Sequence, residues 1–327
     1  MKNIKLLTLS LTSLLTLTAC GKTIDPVIEW DPEKTYQVGI CQLVTHPALD
    51  AATKGFKDAL KEALGDHVNF DEQNAAGEPA TCTTIANAFV SKKVDLIMAN
   101  ATPALQAAAN STLDIPILGT SITSYVDALN LKNFDGVVGG NISGTSDLAP
   151  LDEQAKMMTE LFPTATNVGI LYCSAESNSK YQADNITKEL TKLNKNIKTT
   201  RFTFSDSNDI AATLAKVNNE NAQVLFIPTD NTCAENTEII DSVCSEKQIP
   251  VFAGEEGLCK GCGAFTLSID YLKIGQKTGQ MAARIIKEGA HVSKMAIEFD
   301  DAPVKKYNPT ICARLGIVPP EGFEPVV

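Results

Sequence analysis

Short apolar runs alternate with helix-spaced stretches along this chain, and the series is run through twice. YQVGICQL (Tyr36 to Leu43) is a strand of this kind, and it ends on polar residues. In the stretch from Leu49 to Leu64, Ala52, Phe56, Ala59, Leu60 and Ala63 then fall on one face at helical spacing. Val68 to Phe70, Val94 to Ala99 and Ile115 to Leu118 read as further strands, and Ala80 to Val90 and Pro103 to Asn110 as the helices between them, the last with Thr102 as N-cap and Pro103 at N1. Strands this uniformly apolar are buried on both faces, as in a parallel sheet covered by helices. The scheme then restarts. Helices at 154–161, 181–193, 210–217 and 234–244 alternate with strands at 167–172, 197–204, 224–227 and 250–253.

The two series superimpose. Val38-Gly39-Ile40 matches Val168-Gly169-Ile170 at an offset of 130, Asp95-Leu96-Ile97 faces Val224-Leu225-Phe226 at 129, and Ile115-Pro116-Ile117 matches Ile249-Pro250-Val251 at 134. Such strings recur by chance in any βα protein, but landmarks in one order at nearly one offset point to two similar lobes. The expected fold is α/β, with two doubly wound parallel-sheet lobes, a hinge and an interlobe cleft. Ligands of such lobes sit at the C-terminal strand ends.

The length of 327 residues suits two domains plus a leader. A net charge of −11 offers no basic groove for a nucleic acid, and no Walker loop is present. Lys2 and Lys5 precede a short apolar run, Leu6 to Leu17, too short to span a bilayer and patterned as an export signal. Leu17-Thr18-Ala19-Cys20-Gly21 resembles a bacterial lipobox, which implies cleavage before Cys20 and acylation of its sulfur; the alternative is an ordinary signal peptide ending near a cysteine. Residues 1–19 are therefore expected to be a signal peptide and 20–35 a polar tether, leaving an exported protein lipid-anchored at the periplasmic or extracellular face of the cell membrane. The long uncharged run Leu96 to Leu113 carries Asn100, Thr102, Gln106 and Asn110 and does not suit hydrocarbon.

The strand-end loops carry a series of short polar motifs. In order they are His46-Pro47-Ala48-Leu49-Asp50, Asn74-Ala75-Ala76-Gly77, Ala101-Thr102-Pro103, Ser174-Ala175-Glu176-Ser177-Asn178-Ser179, Pro228-Thr229-Asp230-Asn231-Thr232, Ala253-Gly254-Glu255-Glu256 and Ile269-Asp270-Tyr271. This ordered set, spread from about Tyr36 to Gly316, resembles the substrate-binding lipoproteins of ABC importers, in particular the family linked to tryptophan and other aromatic amino acids. Two departures stand out. Thr120 to Tyr125 replaces a Thr-Asp-Pro-like turn, and Cys259 and Cys262 are additional. The resemblance implies a type I periplasmic-binding-protein fold whose chain crosses between lobes near 136–140, near 268–270 and after the helix 271–287. Lobe 1 would then be 36–137 plus 270–292, and lobe 2 138–269 plus 293–327. It also implies a monomer that captures an amino acid and hands it to permease subunits, without a cofactor. A sensor domain of the same fold is the alternative.

The candidate ligand residues are Gln42, His46, Asn74, Thr102, Ser121, Ser174, Glu176, Asn178, Thr229, Asp230, Asn231, Glu255 and Asp270. Thr102 at a helix start and Ser121 after the next strand suit a carboxylate, although Thr102 would cap its helix in any case. No Arg lies in a candidate loop, which argues against a guanidinium clamp. Asp230 and Glu255 lead the candidates for an ammonium, and the competing reading of Asp230 is a turn cap. His46 either touches ligand or packs its loop, Asp270 suits the hinge, and Tyr125, Tyr181 and Tyr271 are either pocket walls or core.

A remote catalytic reading rests on Ser177-x-x-Lys180, Thr229-Asp230-Asn231 and Lys277-Thr278-Gly279, in the order used by penicillin-recognising serine enzymes. Those enzymes need K-T-G on a strand, whereas 272–286 has helical spacing. Besides Cys20 there are eight cysteines, an even number that permits disulfides in an exported protein or free buried thiols. No second C-x-x-C accompanies Cys259 and Cys262 to complete a metal site.

Overall fold

The computed structural model describes residues 26–300 and 302–326; the expected signal segment and Cys20 lie outside the described residues. The first lobe begins with β1 (Tyr36–Gln42), α1 (Pro47–Leu64), β2 (Val68–Asn74), α2 (Pro79–Lys92), β3 (Leu96–Asn100), α3 (Thr102–Ser111), β4 (Ile117–Ile122), α4 (Tyr125–Leu129) and β5 (Ile142–Ser146). The second follows as α5 (Leu151–Leu161), β6 (Asn167–Cys173), α6 (Ser177–Leu193), β7 (Lys198–Phe204), α7 (Ile210–Asn219), β8 (Val224–Ile227), α8 (Asn231–Glu235), α9 (Thr237–Glu246), β9 (Val251–Ala253), α10 (Glu256–Gly261) and β10 (Phe265–Ser268). The chain then returns through α11 (Tyr271–Glu288) and β11 (Glu298–Phe299) and finishes with β12 (Val304–Tyr307), α12 (Pro309–Leu315) and β13 (Glu324–Pro325).

Two sheets result, in the order β2-β1-β3-β4-β5-β11 and β7-β6-β8-β9-β10-β12-β13. The first five strands of each have the same doubly wound order, and the matched strings of the sequence fall on equivalent strands: β1 with β6, β3 with β8, β4 with β9. Pairing is parallel except for β10 with β12. Along β3 the residues alternate between two apolar layers. Ile97 and Ala99 face α2 and α3, while Leu96 and Met98 face α1 and α11. This is why the strand reads as continuously apolar.

The lobes divide differently from the sequence expectation. Ile142–Ser146 pairs with β4 and extends the first sheet, so the first crossing falls at 147–150 rather than at 136–140. Glu298–Phe299 pairs with β5 and also belongs to the first sheet. ISGTS has none of the apolar weight of the other strands, because Thr145 bonds a neighbouring Thr120 and Thr278 instead of packing in oil. The expected helix 234–244 is two helices, broken at Asn236.

α11, although it follows the second sheet, lies on α1 of the first. A Cβ added at Gly55 would sit 2.2 Å from the Leu272 carbonyl oxygen, and one at Gly275 2.1 Å from that of Ala52. Only hydrogen fits there, so the two helix backbones touch. Over the whole seam Ala52 lies on Gly275, Phe56 and Leu60 on Gly279, and Ala63 on Lys287, so the helices run parallel. Their N-termini, His46 and Asp270-Tyr271, therefore meet at the same end of the molecule. Ala48, Ala52, Ala149, Ile269, Tyr271 and Ile274 form a small core there, built from the chain's crossings.

Candidate functional site

The C-terminal ends of the two sheets face one another, and the loops leaving them enclose a gap. It is lined from the first lobe by His46, Leu49, Ser121, Thr123 and Asp147, from the second by Asn178, Thr229, Asp230, Asn231, Ala234 and Glu255, and by Tyr271 at the second crossing. The enclosed space is about 10 Å3, close to one water's worth, within about 280 Å3 of atom-free volume. No Lys or Arg lines it.

The first rim is shaped by strain. A register shift between Gly119 and Ile122 interrupts the pairing of β4 with β5, and Ser121 stands there at φ 56°, a left-handed conformation costly for a residue with a side chain. The Ser121 side chain is 94% buried, and its Oγ has no partner. Thr123 and Asp147 follow. The Thr123 hydroxyl donates to Asp147 Oδ1 at 3.0 Å and the Tyr271 hydroxyl to Oδ2 at 2.9 Å. Burial pushes the Asp147 carboxyl up to about 6, against the pull of those two hydroxyls. His46 precedes α1, with Nε2 3.3 Å from Asn231 Oδ1 across the gap and Nδ1 buried without a partner. Burial holds its ring below the ordinary histidine range, which favours the neutral form.

The second rim is built from helix caps. Asp230 accepts the Cys233 N–H at 2.8 Å and the Cys173 N–H at 2.7 Å, tying the start of α8 to the end of β6. Glu255 accepts the N–H groups of Gly257 and Leu258 at the start of α10. Both carboxyls are pushed up to about 7, chiefly by burial, and for Asp230 also by the nearby charge of Glu176. Glu176 receives the Asn231 and Thr232 N–H groups, the Thr232 hydroxyl and the amides of Asn231 and Asn178, at 2.7 to 3.1 Å. Gln182 reaches between the rims, donating to Thr229 Oγ1 at 2.5 Å and to Thr123 Oγ1 at 3.2 Å.

Of the candidate residues, His46, Ser121, Asn178, Thr229, Asp230, Asn231 and Glu255 converge on this gap. The others do not line it. Gln42 donates to Asp50 and accepts from Thr53, inside the first lobe. Asn74 is exposed and holds Thr45 and the Ala76 N–H. Thr102 is buried as the first residue of α3, whose cap position is taken by Ala101 at φ 88°, so Thr102 is not the N-cap. Ser174 donates to the Phe204 carbonyl, Glu176 lines a neighbouring cavity between the lobes with Val44, Pro103 and Thr232, and Asp270 caps α11 through the Lys273 N–H. Sequence reasoning passed over Thr123 and Asp147. The run of small residues from Ile142 to Ser146 gave no strand signal, so Asp147 was not seen to be a strand-end residue. Lys277-Thr278-Gly279 lies within α11, with Thr278 and Gly279 buried, which removes the strand a penicillin-recognising site requires. The eight cysteines from Cys41 to Cys312 are buried free thiols. No described helix is long and apolar enough to cross a membrane.

Paired parallel sheets with facing strand ends around a gap between them are the architecture of solute-binding proteins. Residues 37–323 match the family model for the ABC transporter substrate-binding protein, and the chain belongs to that family. A tyrosine-binding protein of Clostridioides difficile is 37% identical over 270 residues, 82% of this chain and 77% of that one. The ABC domain of Streptococcus pneumonia in complex with L-Trp superposes with a TM-score of 0.84 at 28% identity, covering 90% of this chain and all of that one. The ligand-free, open structure of a substrate-binding protein with adhesive properties from Clostridium difficile, 36% identical, covers 89% of this chain and 99% of that one, with a TM-score of 0.68.

Proposed function

We propose that the chain is the ligand-capturing subunit of an ABC importer, that it clamps an aromatic amino acid in the gap between its lobes, and that it delivers this cargo to a membrane permease. The observation that carries the reading is the gap itself, where unsatisfied, deeply buried polar atoms of both lobes, Ser121 Oγ, His46 Nδ1 and Asn178 Oδ1, converge beside the helix caps of the second lobe around a small space. A monomer suffices, since both walls come from one chain. The relatives named for tyrosine and complexed with L-Trp support the aromatic class.

The likeness is greater to the L-Trp complex than to the open, ligand-free structure, despite lower identity to the former. This supports a closed arrangement of the lobes here. A free space of about 10 Å3 admits no amino acid, so loading requires the lobes to part about the connections from β5 to α5, from β10 to α11 and from β11 to β12. His46 with Asn231, and Thr123 with both Gln182 and Thr229, are among the hydrogen bonds that opening breaks. The protein performs no chemistry on its cargo in this reading, and it is held at the outer face of the membrane by an acylated Cys20.

Calorimetric titration with the twenty amino acids tests the ligand. Micromolar or tighter binding of L-tyrosine or L-tryptophan is expected, and no binding better than millimolar by any of them contradicts the reading. Loss of labelled-amino-acid uptake on deletion tests import. Failure of Cys20→Ala to incorporate labelled fatty acid, with the wild type labelled, tests the anchor.

A further inference from the structure

The gap contains three buried carboxylates and no cation, yet the three are bonded differently. Asp230 and Glu255 each hold a backbone N–H group on either oxygen, so these two carboxyls are pinned in place as caps by the fold. Asp147 accepts only from two hydroxyls, those of Thr123 and Tyr271. A hydroxyl turns about its C–O bond and both donates and accepts. The Asp147 oxygens can therefore take up a further donor without orphaning a backbone group. Asp147 is itself 95% buried, and the unpartnered Oγ of Ser121, 94% buried, lines the same gap.

Resting on the amino-acid reading above, we propose that Asp147 is the ammonium receptor and the residue by which the protein selects ligands carrying a primary amine. Its place in the chain gives the contact a second consequence. Asp147 begins the first crossing between the lobes, with its N–H on the Ile122 carbonyl at the end of β4, and Tyr271 ends the second. Thr123, its other partner, is within 3.2 Å of Gln182 and 3.4 Å of Thr229 of the second lobe. An ammonium on Asp147 thus engages both crossings and the inter-rim contact together, which ties recognition of the amine to closure. The charged or titratable groups facing Asp147 are Tyr271 from α11, Tyr125 from α4 and Glu255 at the N-cap of α10; the one base lining the gap, His46, lies against Asn231 and is held toward its neutral form by burial. Only the ligand supplies the counter-charge.

The test pairs each amino acid with its deaminated analogue: L-tyrosine with 3-(4-hydroxyphenyl)propionate, and L-tryptophan with indole-3-propionate, titrated into wild type and Asp147→Asn. For wild type the amine is expected to improve affinity by about 30-fold or more, the usual penalty for leaving a buried charge partner unpaired. In Asp147→Asn that preference collapses to within about 3-fold, with the analogue's own affinity little changed. A preference that survives in Asp147→Asn but collapses in Glu255→Gln overturns the assignment. Wild type also gives a readout independent of any variant's folding. Near pH 6 the amino acid should release protons on binding, seen as a dependence of the heat on buffer ionisation enthalpy, and the deaminated analogue should release fewer. Equal release by both overturns the assignment. Wild type that binds no amino acid removes the underlying reading and this inference with it.

Discussion

The two lobes share a strand order but use their rims in opposite ways. In the second lobe the acidic residues at the strand ends are structural: Glu176, Asp230 and Glu255 gather the N–H groups that open α8 and α10. In the first lobe the rim leaves Ser121 Oγ and His46 Nδ1 without partners and keeps Ser121 in a strained conformation. The second rim is mostly closed by its own hydrogen bonds, with Asn178 Oδ1 left over, whereas the first leaves two unpartnered atoms and a strained serine at the gap. Buried polar atoms left unpaired lower stability, so the first lobe retains a cost at the gap.

The largest expected effect is in the second lobe. Glu176→Ala orphans two backbone N–H groups and their neighbours and should destabilise the protein by about 3 kcal/mol or more in urea unfolding. A loss below about 1 kcal/mol would mean that this rim is not the scaffold.

Asp147 provides the next contrast. Its carboxyl sits at about 6 in the folded chain against an ordinary 3.8, so the unliganded fold holds a proton that the unfolded chain has released. The stability this brings is present in acid and is lost as pH rises from about 4 through 6. Asn mimics the protonated form. Unliganded Asp147→Asn should match wild type near pH 4 and exceed it near pH 7.5, by a margin on the order of 2 kcal/mol. Equal pH dependence of the two melting temperatures would contradict the buried, unpaired charge.

Smaller effects sharpen the comparison. Tyr271→Phe removes one hydroxyl from Asp147 and should cost about 1 kcal/mol. Ser121→Ala removes an unpartnered oxygen, so unliganded stability should change by less than about 0.5 kcal/mol while amino-acid affinity falls. A Ser121→Ala variant that loses stability yet binds normally would place that hydroxyl in the scaffold instead.

The sequence displayed the fold through its apolar strands, because strands covered on both faces cannot hide their composition. The duplicated landmarks fell on equivalent strands for the same reason. The boundary at 142–146 was hidden because that strand satisfies threonine hydroxyls against one another. The site was half legible. Polar residues at apolar strand ends marked the loops that line the gap, but Asp230 and Glu255 look the same in sequence whether they face a ligand or cap a helix. Which of the two an acid does depends on whether N–H groups lie within reach, and that is decided by the turn after it. Asp147 carried no motif, because its role comes from a tyrosine 124 residues away.

The account is tested most directly by a crystal structure of the protein grown with L-tyrosine or L-tryptophan. It predicts density for the amino acid between the rims, its amine on Asp147 beside Thr123 and Tyr271, and the Asp230 and Glu255 backbone bonds unchanged. An amino acid bound outside the gap, or inside it with its amine on Asp230 or Glu255 and those caps broken, would contradict it.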